Sequence, residues 1–288
     1  MKNTNNSQNS TNETLEDRLV DLPSEKNYES DKYAVLISGR TEGRHAENLE
    51  TAYNALIGQG FLLENIFILD NERGPAARFE YPVDAPATKE NIKIVMENIQ
   101  QTSDDKDLLF LYVTGHGGRE KVRGEYVSTI LLSDGEEMDE IEMDNLLEGI
   151  EELRVGILVF DQCYGGGFVE RSGDGRYVAV SASKPNEVSY SNTFPLAFFN
   201  AWEDSESDIN KDGRISIQET FDYATENDSY ANDGDQMPLI RSEDMNSEEI
   251  FIDNIYKDII LEDISEENII SATDNKEGEI GYFFHHKI

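Results

Sequence analysis

One cysteine and one histidine of the chain stand in glycine-rich segments of similar composition. Cys163 lies in Asp161-Gln-Cys-Tyr-Gly-Gly-Gly167, and His116 lies 47 positions earlier in Thr114-Gly-His-Gly-Gly118. A thiol is a weak nucleophile until it loses its proton, and a nearby imidazole can accept that proton. The two segments therefore predict thiol-based acyl transfer, provided that the fold brings Cys163 and His116 together.

Both segments directly follow short apolar runs, which are typical of strands buried on both faces of a sheet. Residues 107–114 precede the histidine and residues 155–160 precede the cysteine. Open α/β sheets carry reactive groups beyond the carboxyl ends of their strands, so neighbouring strands would bring the two side chains to one edge. The backbone N–H groups of Gly117 and Cys163 would then form an oxyanion hole. We expect the glycines at 165–167 to turn the chain sharply behind the nucleophile.

The rest of the chain alternates apolar runs with helical periodicity. Further strands are predicted at 33–39, 65–69, 177–180 and 236–240, and helices at about 45–57, 89–100 and 139–152. This alternation predicts a three-layer α/β fold, with a mostly parallel central sheet of about six strands flanked by helices. Residues 122–132 alternate around Gly124 and predict a solvent-facing hairpin with a turn at Asp134-Gly135.

A twelve-residue segment between the fifth and sixth predicted strands fits the EF-hand calcium-loop pattern at every diagnostic position. It reads Asp208-Ile-Asn-Lys-Asp-Gly-Arg-Ile-Ser-Ile-Gln-Glu219. The predicted Ca²⁺ ligands are side-chain oxygens of Asp208, Asn210, Asp212, Ser216 and Glu219 and the backbone carbonyl of Arg214. The pattern occurs once, so we predict a structural or regulatory ion that the chemistry itself does not require.

The order of these motifs resembles the caspase-like cysteine peptidases, in which His-Gly precedes a strand-end cysteine by about fifty residues. Within that superfamily the resemblance is strongest to the legumain family, with bacterial and archaeal caspase-like proteins and metacaspases next. Arg44-His45-Ala46 after the first strand and Ala182-Ser-Lys-Pro-Asn-Glu-Val-Ser-Tyr190 after the fifth carry it further. The resemblance implies that Cys163 forms an acyl-enzyme and that His116 handles the protons without a third residue.

The legumain resemblance also implies that Arg44, Asp161 and Ser189 line the primary specificity pocket. An arginine and a carboxylate together would recognise both ends of a side-chain amide, which favours Asn at the cleavage site. Metacaspases use an aspartate at the matching position to hold Arg or Lys, and this preference follows instead if Arg44 points away. Asn192-Thr-Phe-Pro195 departs from the legumain pattern. In the resembled families the region around the calcium loop shapes the pocket, so calcium is expected to order residues 190–235.

The composition and net charge restrict which classes of partner and which domain organisation are expected. The chain has 60 acidic against 24 basic residues and a net charge of −36. Such a surface repels phosphates and anionic membranes, so protein or peptide substrates and calcium are the expected partners, and nucleic acid and membrane are not. We predict a disordered leader at 1–31, a peptidase domain at 32–241 and a partly ordered acidic tail at 242–288. Without a signal peptide or membrane span, the expected location is cytoplasmic.

Two other functions are compatible with these residues. The chain could be a catalytically silent calcium-binding interaction protein on a peptidase-like scaffold. It could also be a peptide ligase, because an acyl-enzyme can pass its acyl group to an amine instead of water. The sequence does not indicate the oligomeric state.

Overall fold

The computed structural model describes Leu15 and residues 30–39, 42–71, 79–172, 175–242 and 245–252. The chain divides into two compact units, Met1–Ile252 and Asp253–Ile288, and the second lies outside the described residues. Most of the predicted leader and the tail after residue 252 therefore also lie outside them. Leu15 is helical and buried in the hydrophobic core.

A six-stranded sheet forms the centre of the fold. The described residues form nine strands, of which β4, β5 and β6 make a separate three-stranded sheet: β1 (Lys32–Ser38), β2 (Ile66–Asp70), β3 (Leu108–Thr114), β4 (Gly117–Val122), β5 (Glu125–Leu131), β6 (Glu137–Asp139), β7 (Val155–Phe160), β8 (Tyr177–Ser181) and β9 (Leu239–Arg241). The central sheet has the order β2-β1-β3-β7-β8-β9, and only its β8–β9 pair is antiparallel. The predicted mostly parallel α/β sheet is confirmed.

Apolar strands and amphipathic helices together produce the core. Every residue of β1, β3 and β7 is buried, because helices cover both faces of the sheet. The helices are α1 (Gly43–Gly58), α2 (Lys89–Thr102), α3 (Glu140–Glu148), α4 (Gly166–Ser172), α5 (Thr193–Asn200), α6 (Ile217–Glu226) and α7 (Ser229–Asp233). Across the described ranges, none of these helices has the length and apolar character that a membrane crossing requires.

The predicted hairpin with its turn at Asp134-Gly135 exists, and an earlier turn that the sequence did not predict precedes it. The first turn falls at Arg123 and Gly124, whose φ angles are 52° and 100°. Two successive positive φ angles are typical of a two-residue hairpin turn, whose twist matches the right-handed twist of the strands. Gly124 therefore reverses the chain between β4 and β5 instead of continuing a strand. Asp134-Gly135 forms the second turn, between β5 and β6.

Residues 245–252, here called the strap, pack beside the predicted calcium loop. The N–H of Ile217 donates to the carbonyl of Ile250 at 2.8 Å, and Ser216 forms an antiparallel bridge with Phe251. Ile250 and Ile252 are buried. The first part of the predicted acidic tail is thus held against the fold by backbone pairing and apolar packing.

Candidate functional site

The segments carrying His116 and Cys163 leave the sheet side by side. They follow β3 and β7, which are parallel neighbours with Val113 opposite Phe160. The hydroxyl of Thr114 donates to Oδ2 of Asp161 at 2.9 Å and so joins the two strand ends. Gly117 packs so closely that a Cβ there would overlap the carbonyl oxygen of Cys163. The structure therefore brings the two motif segments together at one edge of the sheet.

Cys163 is half-buried, and its thiol lies beside the segment that follows β8. Its Sγ donates to the carbonyl oxygen of Ser189 at 3.7 Å. The next residue, Tyr164, has a φ of 63°, and its N–H donates to the carbonyl of Glu187 at 2.8 Å. A left-handed tyrosine is a strained conformation of the kind that surrounding structure maintains at functional sites.

The turn behind Cys163 involves both Tyr164 and the first of the predicted glycines. Tyr164 takes the left-handed conformation, and Gly165 in the same turn has no room for a Cβ, which would lie 2.6 Å from the carbonyl oxygen of Phe160. Gly166 is required by close packing, because a Cβ would lie about 2.6 Å from the backbone of Lys184 and from Pro185. This contact presses α4 against the chain that leads to Ser189.

Glu42, in the loop before α1, holds the imidazole of His116. Its Oε1 lies 2.7 Å from Nε2 of His116, and both side chains are partly exposed. The hydrogen bond from His116 is the main cause that lowers the pKa of Glu42. Since Nε2 is hydrogen-bonded to Glu42, Nδ1 is the nitrogen that remains to exchange a proton with a thiol. The sequence predicted no third residue here, and Glu42 was not among the predicted site residues.

The backbone around Gly117 leaves its N–H directed away from the hairpin. The N–H of Leu131 donates to the carbonyl of His116 at 2.9 Å. In an antiparallel ladder this bond makes the facing pair, Gly117 and Ile130, a pair without mutual hydrogen bonds. The N–H of Gly117 therefore points away from β5 and makes no ladder hydrogen bond with it.

Arg44 and His45 begin a buried chain of hydrogen bonds. Nε of Arg44 lies 3.3 Å from Nε2 of His45, and Nδ1 of His45 lies 3.3 Å from Oγ1 of Thr114. Arginine can only donate, so Nε2 accepts and the proton of His45 is on Nδ1. Burial, with the charge of Arg44 as the second cause, lowers the pKa of His45 to about 4. His45 is thus a neutral imidazole at neutral pH.

Asp161 lies at the far end of that chain. Its Oδ2 accepts from Thr114 at 2.9 Å and from Asn48 at 3.0 Å, and its Oδ1 is buried without a hydrogen-bond partner. Burial raises the pKa of its carboxyl to about 7. Asn48 was missed by the sequence analysis, although it follows Arg44 by one helical turn on α1. Of the predicted pocket residues, Arg44 and Asp161 are connected through His45 and Thr114, whereas Ser189 contacts the Cys163 thiol through its carbonyl oxygen.

The predicted calcium loop has its acidic side chains turned inward. Lys211 and Gly213 have φ angles of 61° and 86°, which bend the loop. The Asp208 carboxylate accepts from the N–H groups of Asp212 at 3.1 Å and Gly213 at 2.9 Å. Oε1 of Glu219 accepts from the N–H of Asn210 at 3.0 Å, across the loop.

The remaining predicted ligands complete the loop. The N–H of Arg214 donates to Asp212 at 2.9 Å, and Ser216 with Glu219 forms a capping box at the start of α6. The loop thus presents carboxylate, amide, carbonyl and hydroxyl oxygens, the ligand types that calcium prefers.

Comparisons with known proteins fit this geometry. The model of the Peptidase C13 family matches residues 84–231, just over half of the chain, including the Cys163 and His116 segments. The chain belongs to the Peptidase C13 family. It is therefore a cysteine peptidase of the legumain type by family, as the resemblance implied. Comparison with curated protein sequences gives no match.

A solved structure supports the fold of this peptidase. The crystal structure of protein GSU0716 from Geobacter sulfurreducens superposes with a TM-score of 0.51 and 13% sequence identity. The match covers 73% of this chain and 92% of that chain. At this identity the likeness concerns the fold alone.

Proposed function

We propose that this C13 family member is an endopeptidase that cleaves peptide bonds through a Cys163/His116 dyad. The observation that carries the proposal is the meeting of the two motif segments at adjacent parallel strand ends, where Gly117 packs on the backbone of Cys163. The Cys163 thiol is half-buried and the His116 imidazole is partly exposed, so both remain accessible to a substrate.

The proposed reaction assigns each proton to a named atom. Nδ1 of His116 takes the thiol proton, and the thiolate of Cys163 attacks the scissile carbonyl carbon. The N–H groups of Gly117 and Cys163 stabilise the resulting oxyanion. His116 then gives the proton to the leaving amine, and a water activated by the same imidazole hydrolyses the thioester. Glu42 acts as a positioning residue that keeps the ring orientation through both steps.

For the residue before the scissile bond we propose Asn, with Arg or Lys as the second choice. Arg44, Asp161 and Ser189 are the pocket residues of the proposal. The raised pKa of Asp161 supports the amide, because a carboxyl that holds its proton near pH 7 binds a neutral group more readily than a cation. Oδ1 of Asp161 is buried without a hydrogen-bond partner, and the side-chain amide of a substrate Asn would supply one.

We also propose that the loop from Asp208 to Glu219 binds one calcium ion. Within the part of the chain that the structure describes, the carboxylate oxygens of Asp208, Asp212 and Glu219 do not all lie within 4.8 Å of one another. Calcium binding is therefore expected to draw the loop together. Relief of repulsion between these carboxylates would favour the ion.

A hydrogen-bonded route links the loop to the substrate pocket. Helix α6 starts at the loop, and Asp228 follows its end. The Asp228 carboxylate accepts from Thr193 and Gln236, and Gln236 accepts from the N–H of Tyr190 at 2.6 Å. Tyr190 adjoins Ser189, whose carbonyl accepts from Cys163. Ordering the loop is thus proposed to stabilise the pocket wall as well.

Peptide-substrate profiling tests the whole proposal. Peptides ending in Asn, Asp, Arg and Lys before the reporter group are compared with and without calcium, using wild type, Cys163→Ala and His116→Ala. We expect hydrolysis of the Asn substrate by wild type only, and a lower rate in EGTA. Retention of full activity in EGTA would contradict the calcium coupling. An inactive wild type whose Cys163 resists an acyloxymethyl ketone would favour the silent interaction protein, and a joined product would favour the ligase.

A further inference from the structure

Three side chains beside the proposed dyad form a cluster with the chemistry of a metal site. Glu42, His45 and His116 each present a ligand atom, and the three atoms lie within 4.8 Å of one another. The rings of His45 and His116 meet edge to face with centroids 5.5 Å apart. In a tetrahedral zinc site with bonds of 2.0–2.1 Å, ligand atoms are about 3.3 Å apart, so a small closure would suffice.

The hydrogen bonds of His45 already place it in the form that a metal needs. Its Nδ1–H donates to Thr114, which donates in turn to the carboxyl of Asp161. Metal-binding histidines are usually oriented by such a donated bond from their second nitrogen. The lone pair of His45 is therefore on Nε2, where it accepts from Arg44.

We propose that Glu42, His45 and His116 form a binding site for a divalent transition-metal ion of the Zn²⁺ class, and that the ion inhibits the enzyme reversibly. Two imidazoles and one carboxylate are a common protein donor set for zinc, with the fourth position left to water. The site stands on the geometry of the cluster. The inhibition rests on the proposed function, since it follows from taking His116 and its positioning carboxylate out of catalysis.

Arg44 competes with a metal ion for the ligand atoms of this site. Its guanidinium occupies the lone pair of His45 at 3.3 Å and lies 3.8 Å from the Glu42 carboxylate. A metal ion must displace it, which is feasible because 40% of the Arg44 side chain is exposed. Removing the guanidinium deletes both the competitor and a like charge. The affinity for zinc should therefore rise in Arg44→Ala, whereas loss of any ligand should lower it.

Zinc titration of the Cys163→Ala protein, with calcium at saturation, tests the site independently of the thiol and of activity. Calorimetry and the absorption spectrum of bound Co²⁺ are the measurements. We expect one ion per chain, at least about ten-fold weaker binding in Glu42→Gln, His45→Ala and His116→Ala, and tighter binding in Arg44→Ala. The matched control is His285→Ala/His286→Ala, which removes the two other histidines and should bind as the parent does.

Several results would overturn the site. Absence of binding, binding that survives both Glu42→Gln and His116→Ala, or binding lost in the His285/His286 control would each do so. These two ligand variants change exposed side chains, so the test does not depend on the folding of His45→Ala. Circular dichroism spectra of all variants check that each one is folded.

Wild-type activity supplies the second arm. Zinc should abolish hydrolysis, and a zinc-selective chelator should restore it, in wild type and in the His285/His286 control alike. Binding to the Cys163→Ala protein without inhibition of wild type would refute the inhibitory role. An enzyme that is active but binds no zinc refutes the site and leaves the proposed function intact. A protein that binds zinc but hydrolyses no peptide leaves the site and refutes the proposed function.

Discussion

The hydrogen bond between Glu42 and His116 determines which nitrogen of the imidazole would serve the thiol in the proposed dyad. With Nε2 held at 2.7 Å by the carboxylate, Nδ1 is the nitrogen that would exchange a proton with Cys163. A carboxylate at this position restrains the ring and stabilises the imidazolium that forms when the thiol is deprotonated. Such a contact should influence the chemical steps more than substrate binding.

Replacing Glu42 by Gln tests this role. The amide can still contact the ring but carries no charge, so we expect kcat to fall about ten-fold to a hundred-fold with KM changed less than about two-fold. Steady-state kinetics on the best peptide substrate give both constants. Glu47→Gln, on the exposed part of α1, is the control and should keep wild-type kcat. A rise in KM alone would assign Glu42 to substrate binding instead.

Adding one methyl group at Gly117 tests the oxyanion hole. A Cβ there would overlap the carbonyl oxygen of Cys163, so the Gly117→Ala backbone must shift and its N–H must move. We expect kcat/KM to fall by about 10² to 10³. Gly118→Ala is a matched control, because its Cβ meets only the side chains of Thr129 and Glu137. Equal losses in the two variants, or equal losses of thermal stability, would point to a folding defect.

Residue types and spacing predicted the centre of the site better than its surroundings. Cys163 and His116 could be placed because parallel strands that are neighbours end at one edge of a sheet. Glu42 could not, because its bond to His116 spans 74 positions and arises only when the loop after β1 folds over that edge. The left-handed conformation of Tyr164 was likewise not predicted, because tyrosine is not a residue type that favours a positive φ.

Among the elements, α6 is the one that joins the predicted calcium loop to the wall of the proposed pocket. Its first turn contains Glu219, and the residue pair of Asp228 and Gln236 after it holds Tyr190. A rigid helix transmits a shift of the loop more directly than a flexible linker would. The strap holds the same helix from the outside through Ile217 and Ile250.

Two truncations test whether the strap supports calcium binding. A chain ending at residue 242 lacks the backbone pairing of Ser216 and Ile217 and the contact of Arg214 with the Phe251 ring at 3.5 Å. We expect its calcium affinity to be at least about ten-fold weaker, because the loop must then be ordered at the expense of binding energy. A chain ending at residue 254 keeps these contacts and should bind as the full chain does. Calorimetry in the absence of zinc measures both.

The elements themselves were predictable where periodicity was strong. All six predicted strands of the central sheet occur, since fully buried strands are continuous apolar runs. The strap was missed because a three-residue run, Ile250-Phe-Ile252, is too short to stand out in an acidic sequence. The turn at Gly124 was missed, because an alternating pattern does not distinguish one strand from two that are joined by a two-residue turn.

At the level of the whole molecule, a net charge of −36 opposes the compact state. Screening by salt should reduce this repulsion, so we expect the melting temperature to rise as NaCl increases from about 0.05 to 0.5 M. The measurement is made in EGTA, which keeps calcium from contributing. Sucrose of equal osmolality is the control for excluded-solute effects. A melting temperature independent of salt would mean that the acidic groups are too well separated to repel.

The strap has a consequence for the connectivity of the domain. The ammonium group of Lys32, at the start of β1, donates to the carbonyl of Ile252 at 2.9 Å. The first strand and the last described residue are therefore within one side-chain length of each other. A short glycine-rich linker could join them, with new termini opened at the exposed Arg123-Gly124 turn. Such a circular permutant should fold, which makes the peptidase domain a scaffold for insertion into other proteins.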